Sequence, residues 1–348
     1  MKSIEIGSYT IGPEKPCFLV AEIGINHNGH LDLAKQTIDA AVQAGADGVK
    51  FQNYRTEDFI SDRSLTYQYM SQDAPVTESQ FDLFKRCELD RAALKELKAY
   101  CDDKGVIFHS TPTSREGIKD LMEIGVQVIK NGSDFLTHLP LIRSMGNTKL
   151  PVVLSTGMAT VSEIYEAVRA FRETGNDRLV LLHCVSAYPA PPEDVNLRKI
   201  PVLASAFDCL VGFSDHTVGT IAATGAVVMG ANWIEKHFTL DKSLPGPDHW
   251  FSADPAEFKQ LVTSVRTMER SLGHSKLGLA SSESKNRESF RLSCVAAEDL
   301  REGHVLCDAD VLFRRPGTGL APAWLPMLSG RRINRNIEKG EIIKMEDL

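Results

Sequence analysis

AGADGVKF, Ala44–Phe51, closes one kind of structure and opens another. Before it, Ala34–Ala44 carries apolar residues at three- and four-residue spacing, the period of an amphipathic helix. Gly45 stands where a helix C-terminus calls for a positive φ. After it, Gly48–Gln52 is a short β-branched and aromatic run, the pattern of a buried strand. The same joint recurs in DKGVIF, Asp103–Phe108, and in EIGVQVI, Glu123–Ile129. Working outward, strands are predicted at Cys17–Gly24, Gly48–Gln52, Val106–Thr111, Val126–Lys130, Val152–Thr156, Leu179–Val185, Leu210–Ser214 and Trp233–Phe238. Helical periods cover Ala34–Ala44, Glu163–Arg172 and Ala256–Leu272. Eight strand–helix units in roughly 270 residues match a (β/α)8 TIM barrel, whose usual size is about 250. A doubly wound open sheet uses the same alternation. The count of eight, and the lack of a Gly-rich dinucleotide turn after the first strand, favour the barrel.

Residues 1–272 therefore read as an α/β barrel domain. GHSKLGLASSESKNRES, Gly273–Ser289, is polar with scattered glycine and serine and reads as a linker. Residues 290–348 show short strands and turns without helical period, a small β-rich unit. About 60 residues bury little core alone, so this tail is expected to dock on something.

The 348 residues carry a formal net charge of −7, which argues against a nucleic-acid surface. No apolar run approaches the length of a membrane helix. The opening MKSIEIGSYTIG lacks the apolar core of a signal peptide. The seven cysteines include no C-x-x-C pair, and Cys17, Cys101, Cys184 and Cys209 read as buried thiols. The expectation is a cytoplasmic protein.

In such barrels the reacting groups sit at the C-terminal ends of the strands. Here those ends bear Glu22; Lys50 with Gln52; Ser110 with Thr111; Lys130 followed by Ser133; Ser155; Ser186 with Tyr188; Ser214 with His216; and Glu235 with His237. His216 and His237 end adjacent strands and can point into one space, where two neutral imidazoles suit a divalent metal with open positions. The alternative is a pair of hydrogen-bonded core histidines. Asp215 alternates away from His216 and is expected to orient a loop or a ligand histidine. Lys50 and Lys130 lie in apolar strands, where an unpaired ammonium is costly. With Ser133, Ser155 and Ser214 they can bind a phosphate or carboxylate. Salt bridging inside the barrel, for example between Lys50 and Glu22, is the competing reading. A third reading makes Lys130 the nucleophile of a metal-free Schiff-base aldolase. Glu22 is a general acid or base, or an anchor for the Asn26–Gly29 turn. A non-catalytic scaffold is the remaining class, and the dense polar rim speaks against it.

The same residues carry a family resemblance. AEIGINHNG, VKFQ, HSTP, KNGS, LSTGM, LLHC, YPAPPEDVNL, GFSDHT, EKHFT, GPDH and RRPGTG occur in that order over nearly the full length. The chain resembles the sialic acid (N-acetylneuraminate) synthases, within the broader nonulosonate synthase family. The resemblance implies a TIM barrel followed by a C-terminal antifreeze-like (SAF) domain. It implies condensation of phosphoenolpyruvate with an N-acylmannosamine-type sugar to give a nine-carbon 2-keto acid and phosphate. It implies that His216 and His237 hold Mn2+, with Mg2+ or Co2+ as alternatives. By the same resemblance Lys50, Lys130, Ser133, Ser155, Ser214 and Thr111 hold phosphoenolpyruvate, and Glu22 and Gln52 sit near the reacting centre. Tyr188, Asp248 and, at the position before Tyr188's loop, Ser186 face the sugar. Arg315 reaches the sugar's N-acyl group from the partner chain of a domain-swapped homodimer.

Three departures fall on the sugar side. Lys130–Phe135 reads KNGSDF where the family has Lys-Ile-Gly-Ser-Gly followed by an acidic residue, so an acidic sugar contact is shifted or lost. Ser186 replaces an asparagine and Thr113 an aromatic. N-acetylmannosamine is the first acceptor expected. A 2,4-diacetamido-2,4,6-trideoxymannose, giving legionaminic acid, is the alternative, and the pseudaminic branch ranks below both.

Overall fold

A computed structural model describes residues 3–348 of the chain. Contacts divide it into two compact units, with the boundary between Gly273 and His274.

In the first unit eight parallel strands close into a barrel. They are β1 (Phe18–Gly24), β2 (Gly48–Asn53), β3 (Ile107–Pro112), β4 (Ile129–Asn131), β5 (Val152–Ser155), β6 (Leu179–Cys184), β7 (Leu210–Asp215) and β8 (Trp233–His237). Helices α1 (Leu31–Ala44), α2 (Arg91–Lys104), α3 (Arg115–Ile124), α4 (Leu139–Asn147), α5 (Val161–Arg172), α6 (Lys199–Phe207), α7 (Ile221–Val228) and α8 (Pro255–Leu272) follow the strands in turn. The helix-ending glycines take the conformation their position demands: Gly45 has φ 94° and Gly105 φ 72°. β4 is shorter than its apolar run. The Val126 N–H closes the end of α3 on the Leu121 carbonyl, and pairing begins only at Ile129.

Side-chain alternation divides the barrel wall. Leu19, Ala21, Val49, Phe51, Leu181 and Phe213 face out and form the main core with the helices. Phe18, Val20, Val128, Val153, Leu182 and Trp233 face in, and Phe18 stacks on Trp233 with ring centroids 4.6 Å apart. Ile4, Ile6 and Ile11 join that inner cluster from an antiparallel hairpin, Ile4–Ile6 and Tyr9–Ile11, which plugs the end where the strands begin. The inward positions beyond this apolar plug are the polar ones. The path from β2 to α2 is long and carries its own hairpin, Thr66–Ser71 with Ala74–Ser79, and a short helix, Gln80–Arg86.

The second unit has an antiparallel pair, β9 (Ser293–Ala296) and β10 (Val311–Arg314). Its own core gathers Cys294, Leu300, Leu306, Leu328, Ile333, Ile337 and Ile343. The stretch read as a linker is not wholly irregular, since Ser284–Phe290 is a short exposed helix. A 3-10 turn, Ser281–Glu283, precedes it, and there the Glu283 carboxylate accepts the Ala280 N–H. No helix among the described residues is long and apolar enough to cross a membrane.

Candidate active site

The barrel's strand ends open on a cavity of about 400 Å³. Glu22, Lys50, Gln52, Thr111, Lys130, Ser133, Ser155, Ser186, Tyr188, Ser214, His216, His237 and Asp248 all line it. Of the candidate residues only Arg315 belongs to the second unit, where its Nε donates to the Phe290 carbonyl at 3.1 Å and its guanidinium lies over the Phe290 ring.

The floor is a charge network. Lys50 Nζ lies 2.9 Å from a Glu22 carboxylate oxygen and 3.9 Å from Glu235, and it donates to Thr111 Oγ1 at 3.5 Å. Lys130 Nζ lies 3.4 Å from the same Glu235 carboxylate. Both lysines and both glutamates are buried. The pairing weighed as an alternative for Lys50 is therefore present, within a cavity that also leaves hydroxyls unengaged. Ser155 Oγ, Ser186 Oγ and Thr113 Oγ1 are buried without a hydrogen-bond partner. Ser133 Oγ accepts the Gly157 N–H at 3.0 Å. A Cβ at Gly157 would come within 2.3 Å of Ser186 Oγ and 2.7 Å of Ser133 Oγ, so the backbone must be bare there.

Burial separates the two carboxyls. It pushes Glu22 up, Lys50 only partly offsets it, and the group stands at about 7. Burial also opposes ionisation of Glu235, but Lys130, Lys50 and His109 outweigh it and hold that carboxyl well below the ordinary range. Burial pulls the Lys130 ammonium below its usual value. It raises Asp248 to about 6.

The two histidine rings lie side by side, edge toward face, with centroids 5.4 Å apart and planes at 63°. His216 Nδ1 donates to the Val185 carbonyl at 2.7 Å, which leaves Nε2 with its lone pair. His237 Nδ1 is buried without a hydrogen-bond partner, 3.6 Å from an Asp248 oxygen. Tyr188 packs against the His216 ring at 4.2 Å. Among the described residues no group of three His, Cys, Asp or Glu side chains is placed to hold a metal ion. The imidazole pair fits an open site in which water or substrate completes the coordination.

Asp215 points away from the cavity, accepts the Thr217 N–H and hydroxyl at 2.8 Å, and pairs with Lys236. Glu22 makes no bond to the Asn26–Gly29 turn; Asn28 instead donates to the Pro245 carbonyl and meets His249 at 3.3 Å. His183 bonds the Val195 carbonyl outside the barrel.

Sequence reasoning gave Glu235, Cys184 and Asp134 no place among the site residues. Glu235 was visible as an inward strand-end position but not as the shared partner of two lysines. Cys184 is buried, as expected, but it also lines the cavity, with Sγ 3.9 Å from His216 Nδ1. Burial raises its thiol, yet His216, Ser133 and Lys130 together outweigh burial and bring it to about 7. Its strand parity with Val180 and Leu182 was the available signal. Asp134 lines the cavity, so the acidic group is displaced by one position along the chain and still faces the site.

Comparison with known proteins identifies the family. Residues 37–277 match the NeuB family and residues 293–348 the SAF domain. An N,N'-diacetyllegionaminic acid synthase of Legionella pneumophila is 39% identical, over 97% of this chain and 96% of that protein. A pseudaminic acid synthase of Campylobacter jejuni is 35% identical, over 99% of each chain. The crystal structure of an N-acetylneuraminic acid (sialic acid) synthetase from Leptospira borgpetersenii, in complex with citrate, superposes with a TM-score of 0.74 at 35% identity. That match covers 82% of this chain and 95% of that one. With a TIM barrel, a SAF domain and relatives of this kind along its whole length, the chain belongs to the NeuB family of nonulosonate synthases.

Proposed function

We propose that the chain condenses phosphoenolpyruvate with an open-chain, N-acylated mannosamine-type sugar and water, giving a nine-carbon 2-keto acid and inorganic phosphate. The observation that carries this reading is the shared rim: two ammonium groups, unpartnered hydroxyls and two neighbouring imidazoles line one cavity. Phosphoenolpyruvate is a dense anion. Lys50 and Lys130 supply charge, and Thr111, Ser133, Ser155 and Ser214 supply donors. The lysines are already balanced by Glu22 and Glu235, so the incoming anion exchanges carboxylate contacts for its own.

His216 and His237 would hold Mn2+, with Mg2+ or Co2+ as alternatives, and such an ion when bound polarises the sugar aldehyde. The enol carbon forms a bond to the aldehyde carbon, whose oxygen takes up a proton. Water adds to the adjacent carbon, where positive charge has developed, and gives up a proton. The carbon–oxygen bond to the phosphoryl group then breaks and phosphate leaves. Glu22, at about 7, can give a proton and take one back near neutral pH. Gln52 stands near the reacting centre, and Ser186, Tyr188 and Asp248 stand toward the acceptor. In a domain-swapped homodimer, Arg315 would reach the N-acyl group in the neighbouring barrel. The acceptor is N-acetylmannosamine or a 2,4-diacetamido-2,4,6-trideoxymannose, and the setting is the cytoplasm.

Coupled phosphate release tests the proposal. Release should require phosphoenolpyruvate, sugar and divalent metal together, and a chelator should abolish it. Release without an acceptor, or insensitive to chelation, overturns it. A second reading rests on the lowered Lys130 ammonium, a property that an imine-forming lysine needs. Borohydride trapping of the protein with pyruvate would favour that reading.

A further inference from the structure

GINHNG, Gly24–Gly29, and GPDH, Gly246–His249, stand far apart in the sequence and meet in the fold. The path from β8 to α8, Phe238–Asp254, holds no helix or strand of its own. Its two ends are joined, with the Thr239 N–H on the Ala253 carbonyl at 3.0 Å and the Ala253 N–H on the His237 carbonyl at 2.8 Å. Between them it carries Asp248, which lines the cavity with its carboxylate 3.6 Å from His237 Nδ1.

The residue after Asp248 is the one held fast. His249 is buried. Thr239 has one hydroxyl proton and gives it to the Asp241 carbonyl at 3.0 Å. It therefore accepts from His249 Nδ1–H at 2.7 Å. Burial pulls this imidazole down to about 4, so it is neutral near pH 7 and Nε2 keeps its lone pair. Asn28 Nδ2 gives one N–H to that lone pair at 3.3 Å and the other to the Pro245 carbonyl at 2.9 Å. The bonds run in one direction, and they start from an amide that donates twice. Asn28 stands in the turn at φ 50°, a left-handed conformation that asparagine tolerates. Gly246 gives the ring its space, since a Cβ there would come within 2.9 Å of His249 Cδ2. The hairpin after β2 adds a second tie, where Ser71 Oγ accepts the Gly246 N–H at 3.1 Å and Gln72 Nε2 donates to the Ser243 carbonyl at 3.1 Å.

We infer that Asn28 and His249 are positioning residues, a clasp between the loops that follow β1 and β8, which fixes where Asp248 meets the acceptor. This inference rests on the synthase reading above, in which Asp248 faces the sugar, and it adds the two side chains through which that carboxylate is aimed.

The test measures phosphate release from phosphoenolpyruvate, with N-acetylmannosamine and 2,4-diacetamido-2,4,6-trideoxymannose each offered as acceptor. Asn28→Gly keeps the left-handed turn and removes both ties. It should raise KM for the sugar by about tenfold and leave KM for phosphoenolpyruvate within about twofold. His249→Gln, which keeps an acceptor near the position of Nε2, should retain most of the wild-type KM, and His249→Phe should not. A double-mutant cycle shows whether the clasp acts through Asp248. In an Asp248→Asn background, Asn28→Gly should add no more than about a twofold change in sugar KM. A cooperative thermal transition shows that each variant is folded, and Asn28→Asp, of the same shape without a donor, replaces Asn28→Gly should that chain not fold. An unchanged sugar KM in the folded variant, equal effects on both substrates, or full additivity with Asp248→Asn overturns the clasp and leaves the synthase reading standing. No release from wild type with either acceptor overturns both.

Discussion

Asp215 and Lys236 form an ion pair at 2.9 Å on the outer side of the barrel wall, each one residue from a histidine of the rim. They are register partners on β7 and β8, and both are fully buried. Lys236 also donates to the Thr217 carbonyl while Asp215 accepts the Thr217 N–H, so the pair grips both backbone groups of the residue that follows His216. A buried pair is weak evidence for stability, since apolar replacements often do as well. Its position favours a geometric role, holding the two imidazoles at one spacing. Asp215→Asn and Lys236→Met should each destabilise by about 3–5 kcal/mol, because each leaves a buried group unpaired. The double change Asp215→Leu with Lys236→Met should regain much of that stability. Mn2+ affinity should stay about 10- to 100-fold down in all three, read from the metal-dependent thermal shift. Wild-type metal binding in the double variant would remove the geometric role.

Glu235 joins the two lysines that the reaction is proposed to use. It also accepts from the Trp233 indole N–H at 3.3 Å and lies 3.9 Å from His109 Nε2, so it is fixed from four sides. Glu235→Gln removes the charge that allows two ammonium groups to share a dry pocket. The free variant should lose several kcal/mol of stability. Phosphoenolpyruvate restores a negative partner, so its stabilising shift should be larger in the variant than in wild type. Equal shifts in differential scanning fluorimetry would mean that the anion binds away from these lysines.

These pairings show where linear reading stops. The strands were legible because β-branched runs alternate with helices ended by Gly45, Gly105 and Gly125. The rim was legible because residues two apart share a face, as Lys50 and Gln52 do. The bond between Lys130 on β4 and Glu235 on β8 was not legible, because only closure of the barrel brings opposite strands to one point. The N-terminal hairpin escaped notice because three-residue strands carry too little alternation. The hairpin after β2 turns at Gln72 and Asp73, both at positive φ, without the glycine that usually marks such a turn. That segment lines one side of the cavity with Tyr54, Phe59 and Phe84, and nothing in its pattern marked it as part of the site.

Glu22 gives a pH-dependent test. Its carboxyl is held at about 7 in the fold and returns to an ordinary value when unfolded. A raised acid binds its proton more tightly in the folded state. Stability therefore falls as pH rises from the unfolded value toward about 7, and levels off above it. The span corresponds to about 3 kcal/mol. Glu22→Gln has no such proton to lose. Denaturant unfolding of the two proteins without substrate should give curves that diverge between about pH 4.5 and 7, with the variant relatively more stable on the alkaline side. Catalysis should fall by about 100-fold or more if Glu22 moves protons. Parallel stability curves would place its titration elsewhere.

Arg315 decides whether two chains build one site. It is exposed on the SAF unit, resting on Phe290. Arg315→Ala should raise KM for the sugar by about tenfold, the scale of one charge-assisted hydrogen bond, with a smaller effect on phosphoenolpyruvate. Light scattering should report a dimer. Mixing supplies the sharper test. A chain with Arg315→Ala keeps a complete barrel, and a chain with His216→Ala keeps an intact Arg315. If the residue acts in trans, subunit exchange between these two chains creates one wild-type site per hybrid dimer. Random exchange then restores about a quarter of wild-type activity, measured at low sugar concentration. If Arg315 acts in its own chain, or not at all, mixing restores nothing beyond the average of the two variants.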